Sequence, residues 1–553
     1  MSSSELANRA VPNPLSGEVR AALTRVAEGL AEGRRLVALA AYGSYVAGYA
    51  RPGSDYDLLV VLEDYRPKVR YRYLEAEGLE VSALLVDAEV LERDAESATL
   101  GEFVAGRLLN IYEALAGGDY LTRVELKLKR RVVLEELRDV AASYGDFAPF
   151  LIIPLAYFLF DKLKKRAFIY PPALYSYTKT YDGPQATANL DFTLQGFRAA
   201  IESIAADGLV EFLPRDRVKL RPDAFEKGRL AKLEAIMTTA RRGITQYAVH
   251  GYAGRVRLEV VGREALAKLT RSREVTHVPE VLSRPKSLWE IEEGVLVMEA
   301  DGWLKATAHI LGLEEPVKSE RSRVGEFYNA ANIYTLSDGR REVKVVVKRY
   351  RDPRSVKWAL ISLALPSFAS DPLSRLAREY GAIRRLRPLG FNTPEVVALL
   401  LDDRVMVTRY IEGTLLAQFV EDYLAGRQEE LGPIIRFGET LGRLHQHGYT
   451  MGDTKASNAI FREGEIYLTD LEQATEGGEP GWDLAEFLYY STKLTIDVER
   501  AKSLARAFVE GYLRTGKAEA VKAALSLKYS AIFQPFMTPQ VARAIRQTLS
   551  RMA

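Results

Sequence analysis

The stretch Ala41 to Leu62, AYGSYVAGYARPGSDYDLLVVL, places two aspartates, Asp55 and Asp57, at the mouth of an apolar run. The run LLVVL reads as a buried strand, because it leaves no solvated face. On a strand, side chains at i and i+2 share a face. Both carboxylates therefore point at one spot. At ~4 Å and an effective dielectric near 20 their repulsion costs about 4 kcal/mol. A structural strand end has no use for that cost. A divalent cation offsets it, and hard carboxylate oxygens suit Mg2+. Upstream, Gly43 and Ser44 directly follow the strand-like LVALAAY, at the expected start of a helix. A glycine lets backbone come close to a phosphate, and a serine hydroxyl with helix N-terminal N–H groups can bind its oxygens. RPGSD then turns the chain back to the aspartate strand.

These motifs sit in a chain of 553 residues, enough for several domains. Apolar residues make up 47%, enough for several cores. The 76 basic and 74 acidic residues nearly cancel, so net charge gives no reason to expect a general nucleic-acid or membrane-surface binder. Cysteine is absent, which excludes disulfides, thiolate metal sites and cysteine nucleophiles and fits a cytoplasmic location. The five histidines show no H-x-x-x-H spacing. The N-terminal residues carry no apolar signal-peptide core. FAPFLIIPLAYFLF (Phe147 to Phe160) and WALISLALPSFA (Trp358 to Ala369) are too short to span a membrane and contain proline, so both are expected to be buried helices.

GSYVAGYARPGSDYDLLVV resembles the Gly-Ser…Asp-x-Asp signature of the polymerase β-type nucleotidyltransferases, especially the small stand-alone members, over Leu36 to Asp87. The resemblance implies that Gly43 and Ser44 hold the triphosphate of an NTP and that Asp55 and Asp57 bind Mg2+. It also implies a third carboxylate on a nearby strand that activates the acceptor hydroxyl. LEVSALLVD is that strand. Glu80 is the expected residue; Ser82 shares its face and would leave the acceptor base missing.

A second constellation lies in LHQHGYTMGDTKASNAIF, where Asp453 and Asn458 have D-x-x-x-x-N spacing with Lys455 between. Asp470 follows in YLTDLEQA. EVKVVVKRY carries Lys348 late in a strand, and Glu379 lies on the helix SRLAREYGAIRRL. The set resembles the catalytic machinery of atypical protein kinases of the RIO-type and lipopolysaccharide-kinase-like group. It implies that Asp453 takes the acceptor proton, that Lys455 neutralises the transferred phosphate, and that Asn458 and Asp470 hold Mg2+. Lys348, paired with Glu379, would bind ATP. Asp483 is expected to be a structural anchor. DLE stands where most kinases have D-F-G, and VGEFYNAANIYTL fills the nucleotide-loop position with one glycine. His445 continues an apolar helix face and is expected to be a satisfied core histidine.

The expected fold is multidomain α+β. A nucleotidyltransferase α/β domain (16–98) carries a helical extension (99–185). A winged-helix module (186–225) and a linker with helices and a small β region (226–320) lead to a bilobal kinase-like domain (321–553). The expected function is two-headed transfer. One head moves a nucleotidyl group from an NTP to a hydroxyl. The other phosphorylates a Ser/Thr or small-molecule hydroxyl with ATP, on a protein or small-molecule acceptor not named by the motifs. The alternative is a nucleotide-sensing regulator that binds duplex DNA through the winged helix, where Arg215, Arg217, Lys219 and Arg221 alternate, with a pseudokinase at the C-terminus.

Overall fold

A computed structural model describes residues 6–226, 278–298, 302–323, 330–351, 371–493, 495–533 and 537–553, with isolated residues between 234 and 253. The chain divides into two compact units, Met1–Glu290 and Ile291–Ala553.

The first unit begins with helix α1 (Gly17–Ala31), whose N-cap Ser16 hydroxyl accepts from the Val19 N–H at 3.3 Å. A five-stranded mixed sheet follows, in the order β3-β4-β2-β1-β5. Its strands are β1 (Leu36–Tyr42), β2 (Tyr56–Leu62), β3 (Val69–Ala76), β4 (Leu79–Asp87) and β5 (Tyr112–Ala116). β2 and β4 run parallel, and the other pairs are antiparallel. Alternation along the strands splits the sheet into two faces. Leu39, Ala41, Leu58, Val60, Val81 and Ala83 pack with Leu23, Val26 and Ala27 of α1 in one core. Tyr42, Asp57 and Ser82 belong to the opposite face, since they pair across neighbouring strands.

The extension supplies α2 (Ala88–Ser97), α3 (Gly118–Tyr144), α4 (Leu155–Ile169), α5 (Ala173–Tyr181) and α6 (Ala186–Ala206). The apolar run from Phe147 is buried, but a short strand, β6 (Ile153–Pro154), interrupts it before α4 begins. The run from Trp358 lies outside the described residues.

The segment expected as a winged helix does not stand apart. Its helix α6 packs along α3, burying Asn189, Phe192, Thr193, Phe197 and Ile201. Its strands β7 (Val210–Leu213) and β8 (Arg217–Leu220) join β6 in one sheet ordered β6-β8-β7. The basic stripe is also engaged. Arg217 pairs with Glu290 at 2.9 Å, and Lys219 has a partner of its own. The apolar face of α6 is buried against α3, so the segment folds with the first unit.

The second unit opens with β9 (Val295–Leu296) and α7 (Trp303–Ile310). A six-stranded sheet follows, in the order β10-β11-β12-β14-β13-β9. It comprises β10 (Lys318–Arg323), β11 (Ala330–Ser337), β12 (Glu342–Arg349), β13 (Val396–Leu400) and β14 (Val405–Arg409) with β9. Helix α8 (Pro372–Leu386) starts at Asp371, which accepts from the Ser374 N–H at 2.9 Å. The expected boundary at residue 321 lies too late. Val297, Ala308, Leu311 and Leu313 share a core with Leu336, Val345, Val397 and Val407, so residues from Ile291 onward fold with this sheet.

Helices dominate the remainder: α9 (Leu416–Leu424), α10 (Gly432–Gln446), α11 (Pro480–Ser491), α12 (Val498–Leu513) and α13 (Pro539–Met552). Small strands frame two loops among them. These are β15 (Thr414–Leu415), β16 (Tyr449–Thr450), β17 (Ala459–Arg462), β18 (Glu465–Leu468) and β19 (Thr475–Glu476). The loop with Asp453 runs from β16 to β17, and Asp470 follows β18. Among the described residues, no helix is long and apolar enough to cross a membrane.

Candidate active sites

In the first unit, Gly43 adopts φ +81°, a conformation that side-chain-bearing residues avoid. A Cβ at this position would collide with Oδ2 of Asp57. The turn glycine and the Asp57 carboxylate thus touch. The register explains why: Tyr42, the last residue of β1, lies opposite Asp57. Asp55 immediately precedes β2, and both aspartates are partly exposed.

The expected helix after Ser44 does not form; a series of turns replaces it. Two asparagines brace these turns. Asn13 donates to the Tyr45 carbonyl at 2.5 Å, and Asn189 of α6 donates to the Ala47 carbonyl at 3.0 Å. They add side-chain donors to carbonyls of the turn, and Gly48 at φ +78° ends it. The Gly-Ser turn is therefore held by two distant side chains.

On β4, Ser82 lies opposite Asp57 and is buried. Glu80 is exposed and precedes Val81, the partner of Tyr56, which puts it level with Asp55. Sequence reasoning missed Arg107, in a short 3-10 turn between α2 and β5. Its Nη2 donates to the Tyr71 hydroxyl at 2.8 Å, and its guanidinium lies 5.6 Å from the Tyr42 ring centre. Burial works against this charge, but Tyr71, Tyr42 and Asp57 more than offset it and raise the Arg107 pKa. No local pattern marks such a residue. Tyr49, pushed up to about 12 mainly by burial, bonds to Ser176 and Thr180 of α5 and feels the Asp57 charge.

In the second unit, Lys348 at the end of β12 reaches Glu379 of α8 at 2.5 Å. The same ammonium bonds Asp470 and lies 3.1 Å from Glu472. Glu472 in turn takes Arg375 at 2.7 and 2.8 Å, one bond to each oxygen. Tyr350 donates to Glu379 at 2.5 Å. Burial opposes the Lys348 charge, yet Asp470 and Glu379 raise its pKa well above the ordinary value. Burial also opposes the Asp470 charge, but Lys348 keeps that carboxyl below its usual range. Glu379 goes the other way, because burial outweighs Lys348. Asp470 has φ +53°, a strained conformation of the kind that gathers at functional sites. Glu472, Arg375 and Tyr350 were not singled out in the sequence. Tyr350 lies two residues beyond Lys348, and Glu472 two beyond Asp470, so strand and loop spacing could have flagged both.

Asp453 lies beside this group. Its Oδ1 takes Lys455 Nζ at 2.5 Å, and its Oδ2 takes Asn458 Nδ2 at 3.2 Å. The Asn458 carbonyl accepts from Thr469 N–H at 2.9 Å, tying this loop to the residue before Asp470. Asp483 of α11 accepts from the Met451 and Gly452 N–H groups at 2.7 and 2.8 Å. His445 is buried between Asp483 and the Tyr512 hydroxyl at 3.1 and 2.8 Å, so both ring nitrogens are satisfied. Of the nucleotide-loop stretch VGEFYNAANIYTL, residues 324–329 lie outside the described residues and the rest belongs to β11.

Comparison with known proteins finds similarity of two kinds. Residues 23–109 match the family model described as "Nucleotidyltransferase domain". The KEOPS complex subunit Bud32 of Pyrococcus abyssi is 33% identical over 134 residues, which is 23% of this chain and 54% of that protein. The chain joins a nucleotidyltransferase domain to a kinase-like domain. A probable bifunctional tRNA threonylcarbamoyladenosine biosynthesis protein of Methanothermobacter thermautotrophicus is 36% identical over 98 residues, 18% of this chain and 17% of that one. The chain thus spans about half of one curated relative and a smaller part of the other. The solved structure of amicoumacin kinase hAmiN in complex with AMP-PNP, Ca2+ and Ami is 12% identical, covering 46% of this chain and 93% of that one. Its TM-score is 0.23. The matched family model at residues 23–109 is that of a transferase domain.

Proposed function

We propose that the chain carries two phosphorus-transfer reactions, each with its own site. In the first, the α-phosphorus of an NTP is attacked by an acceptor hydroxyl and pyrophosphate leaves. The contact of Gly43 with Asp57 is the observation that carries this reading, because it brings a phosphate turn against a metal-type carboxylate. Gly43 and Ser44 hold the triphosphate, and Glu80, exposed level with Asp55, takes the acceptor proton. Asp55 and Asp57 offer hard oxygen donors that suit Mg2+, which when bound supplies charge neutralisation at the phosphates. Arg107, held by Tyr71 and stacked on Tyr42, adds positive charge on the sheet face that carries Asp57.

In the second reaction, the acceptor O–H bond breaks and its proton passes to Asp453. The oxygen bonds to the γ-phosphorus of ATP, and the bond to ADP breaks with its electron pair on ADP. Lys455, already on Asp453, neutralises the transferred phosphate. Lys348 and Glu379 place the α- and β-phosphates. The Asn458 amide oxygen and the Asp470 carboxylate suit Mg2+. Filled positions at Lys348, Glu379, Asp453, Asn458 and Asp470 favour turnover over a nucleotide-binding scaffold. The acceptor is a Ser/Thr or small-molecule hydroxyl. The relatives named for the KEOPS complex and tRNA threonylcarbamoyladenosine biosynthesis make components of that machinery the first acceptors and partners to try, in the cytoplasm. Duplex DNA is a poorer partner, because Arg217 of the basic stripe is paired with Glu290.

The test follows product release. With Mg2+ and each NTP, the wild-type chain should release pyrophosphate, and Asp55→Asn with Asp57→Asn should abolish it. ADP formation should need Asp453 and survive that double substitution. Pyrophosphate release that persists in the double variant would overturn the first assignment.

A further inference from the structure

The geometry points to Glu486 of α11 as a positioning residue for Asp453, gripping the loop beside the base and the base itself. This rests on the reading of Asp453 as the phosphoryl-transfer base and adds the residue that orients it.

Asp483 and Glu486 are three residues apart on one helix and so share a face. Asp483 takes the N–H groups of Met451 and Gly452, just before Asp453. Glu486 Oε2 takes the N–H of Thr454, just after it, at 2.7 Å. The base is therefore clasped from both sides by carboxylates of one helix. Glu486 is 6% exposed. Its carboxyl also meets the Asp453 carboxyl at hydrogen-bonding range.

Two carboxyls in direct contact cannot both be ionised without a large penalty, so one carries the proton. Asp453 has the cationic partner at bonding distance, Lys455 at 2.5 Å, and the Asn458 amide donor on its other oxygen. Glu486 is the member that keeps the proton, and it accepts from the Thr454 N–H while bonding to Asp453. Burial first, then the Asp453 charge, push the Glu486 carboxyl well above the usual range, and Lys455 and Thr454 do not reverse this. The outcome is a base whose carboxyl and neighbouring backbone are both held in place by side chains.

Glutamine reproduces a protonated glutamate: its carbonyl accepts from Thr454 and its amide donates to Asp453. Alanine removes both bonds. In the full chain, amide exchange of the peptide spanning 444–461 should be unchanged in E486Q and faster by roughly tenfold in E486A. With Mg2+ and ATP, γ-phosphoryl transfer to water or to the chain itself should stay within about threefold in E486Q. In E486A kcat should fall roughly 30- to 100-fold while KM for ATP holds within about twofold. A merely structural role would not produce rescue by glutamine or that split. E486A matching the wild type in both readouts, or E486Q as damaged as E486A, overturns the proposal. If E486A does not fold, E486Q decides alone: wild-type exchange supports the assignment and fast exchange overturns it. A wild-type chain that transfers no γ-phosphate defeats the kinase reading, yet the exchange comparison still decides on Glu486.

Discussion

At the scale of single residues, the two sites rest on contacts that substitutions can break separately. Gly43→Ala places a methyl group where the Asp57 carboxylate lies and imposes a positive φ on a side chain. The expected result is a loss of pyrophosphate release of at least about 100-fold, with destabilisation of about 1–3 kcal/mol from backbone strain. A steady-state assay beside a thermal melt checks both. Lys348→Met leaves Glu379, Asp470 and Glu472 around an uncharged side chain, with Arg375 still on Glu472. Removing one partner from a buried charge network costs about 3–5 kcal/mol. The transition of the second unit in urea should shift accordingly, while pyrophosphate release by the first unit continues. An unchanged transition would show that the lysine is not the centre of that cluster.

At the scale of elements, α3 carries a buried ion network that joins it to the N-terminal segment. Glu125 bonds Arg9 at 2.6 Å and Lys129 at 2.7 Å, and Tyr112 donates to it at 2.7 Å. Burial raises the Glu125 pKa, but Arg9 and Lys129 overcome this and bring it down to about 2. A carboxyl whose folded pKa lies below its unfolded value adds stability above the unfolded value, near 4.5, and loses it as pH falls toward about 2. That contribution is on the order of 3 kcal/mol. Acid unfolding of the first unit, followed by circular dichroism from pH 6 to 2, should therefore steepen below about pH 4.5. Glu125→Gln should flatten that slope. Equal acid profiles in the two proteins would remove Glu125 from the account.

At the scale of the whole molecule, much of each site was legible because its signal is local. The Asp55 and Asp57 pair, the Gly43-Ser44 turn and the spacing of Asp453, Lys455 and Asn458 each fit in a short stretch. The pairing of Lys348 with Glu379 followed from one strand and one helix. What escaped depends on distant chain segments. Asn189 reaches the turn after Ser44 across 142 positions, and Arg375 reaches Glu472 across 97. α6 looked like part of a winged helix because its own pattern does not reveal that α3 covers it. The strand β9 holds only two residues, too few for a periodic pattern, yet it extends the sheet of the second unit. This placement has a consequence. A fragment starting at Ile291 should unfold cooperatively, whereas one starting at Arg321 loses Val297, Leu311 and Leu313 from the core. The shorter fragment should melt at a clearly lower temperature or fail to fold. Equal melting temperatures would place the boundary nearer residue 321.

The most direct test of two separate transfer sites in one chain is paired labelling with α-labelled and γ-labelled ATP and Mg2+. Wild type, the Asp55→Asn/Asp57→Asn pair and Asp453→Asn would run side by side. Two independent sites predict that label from the α position disappears only in the aspartate pair. Label from the γ position should disappear only in Asp453→Asn. Loss of both labels in either variant, or retention of both in all three, would contradict that division.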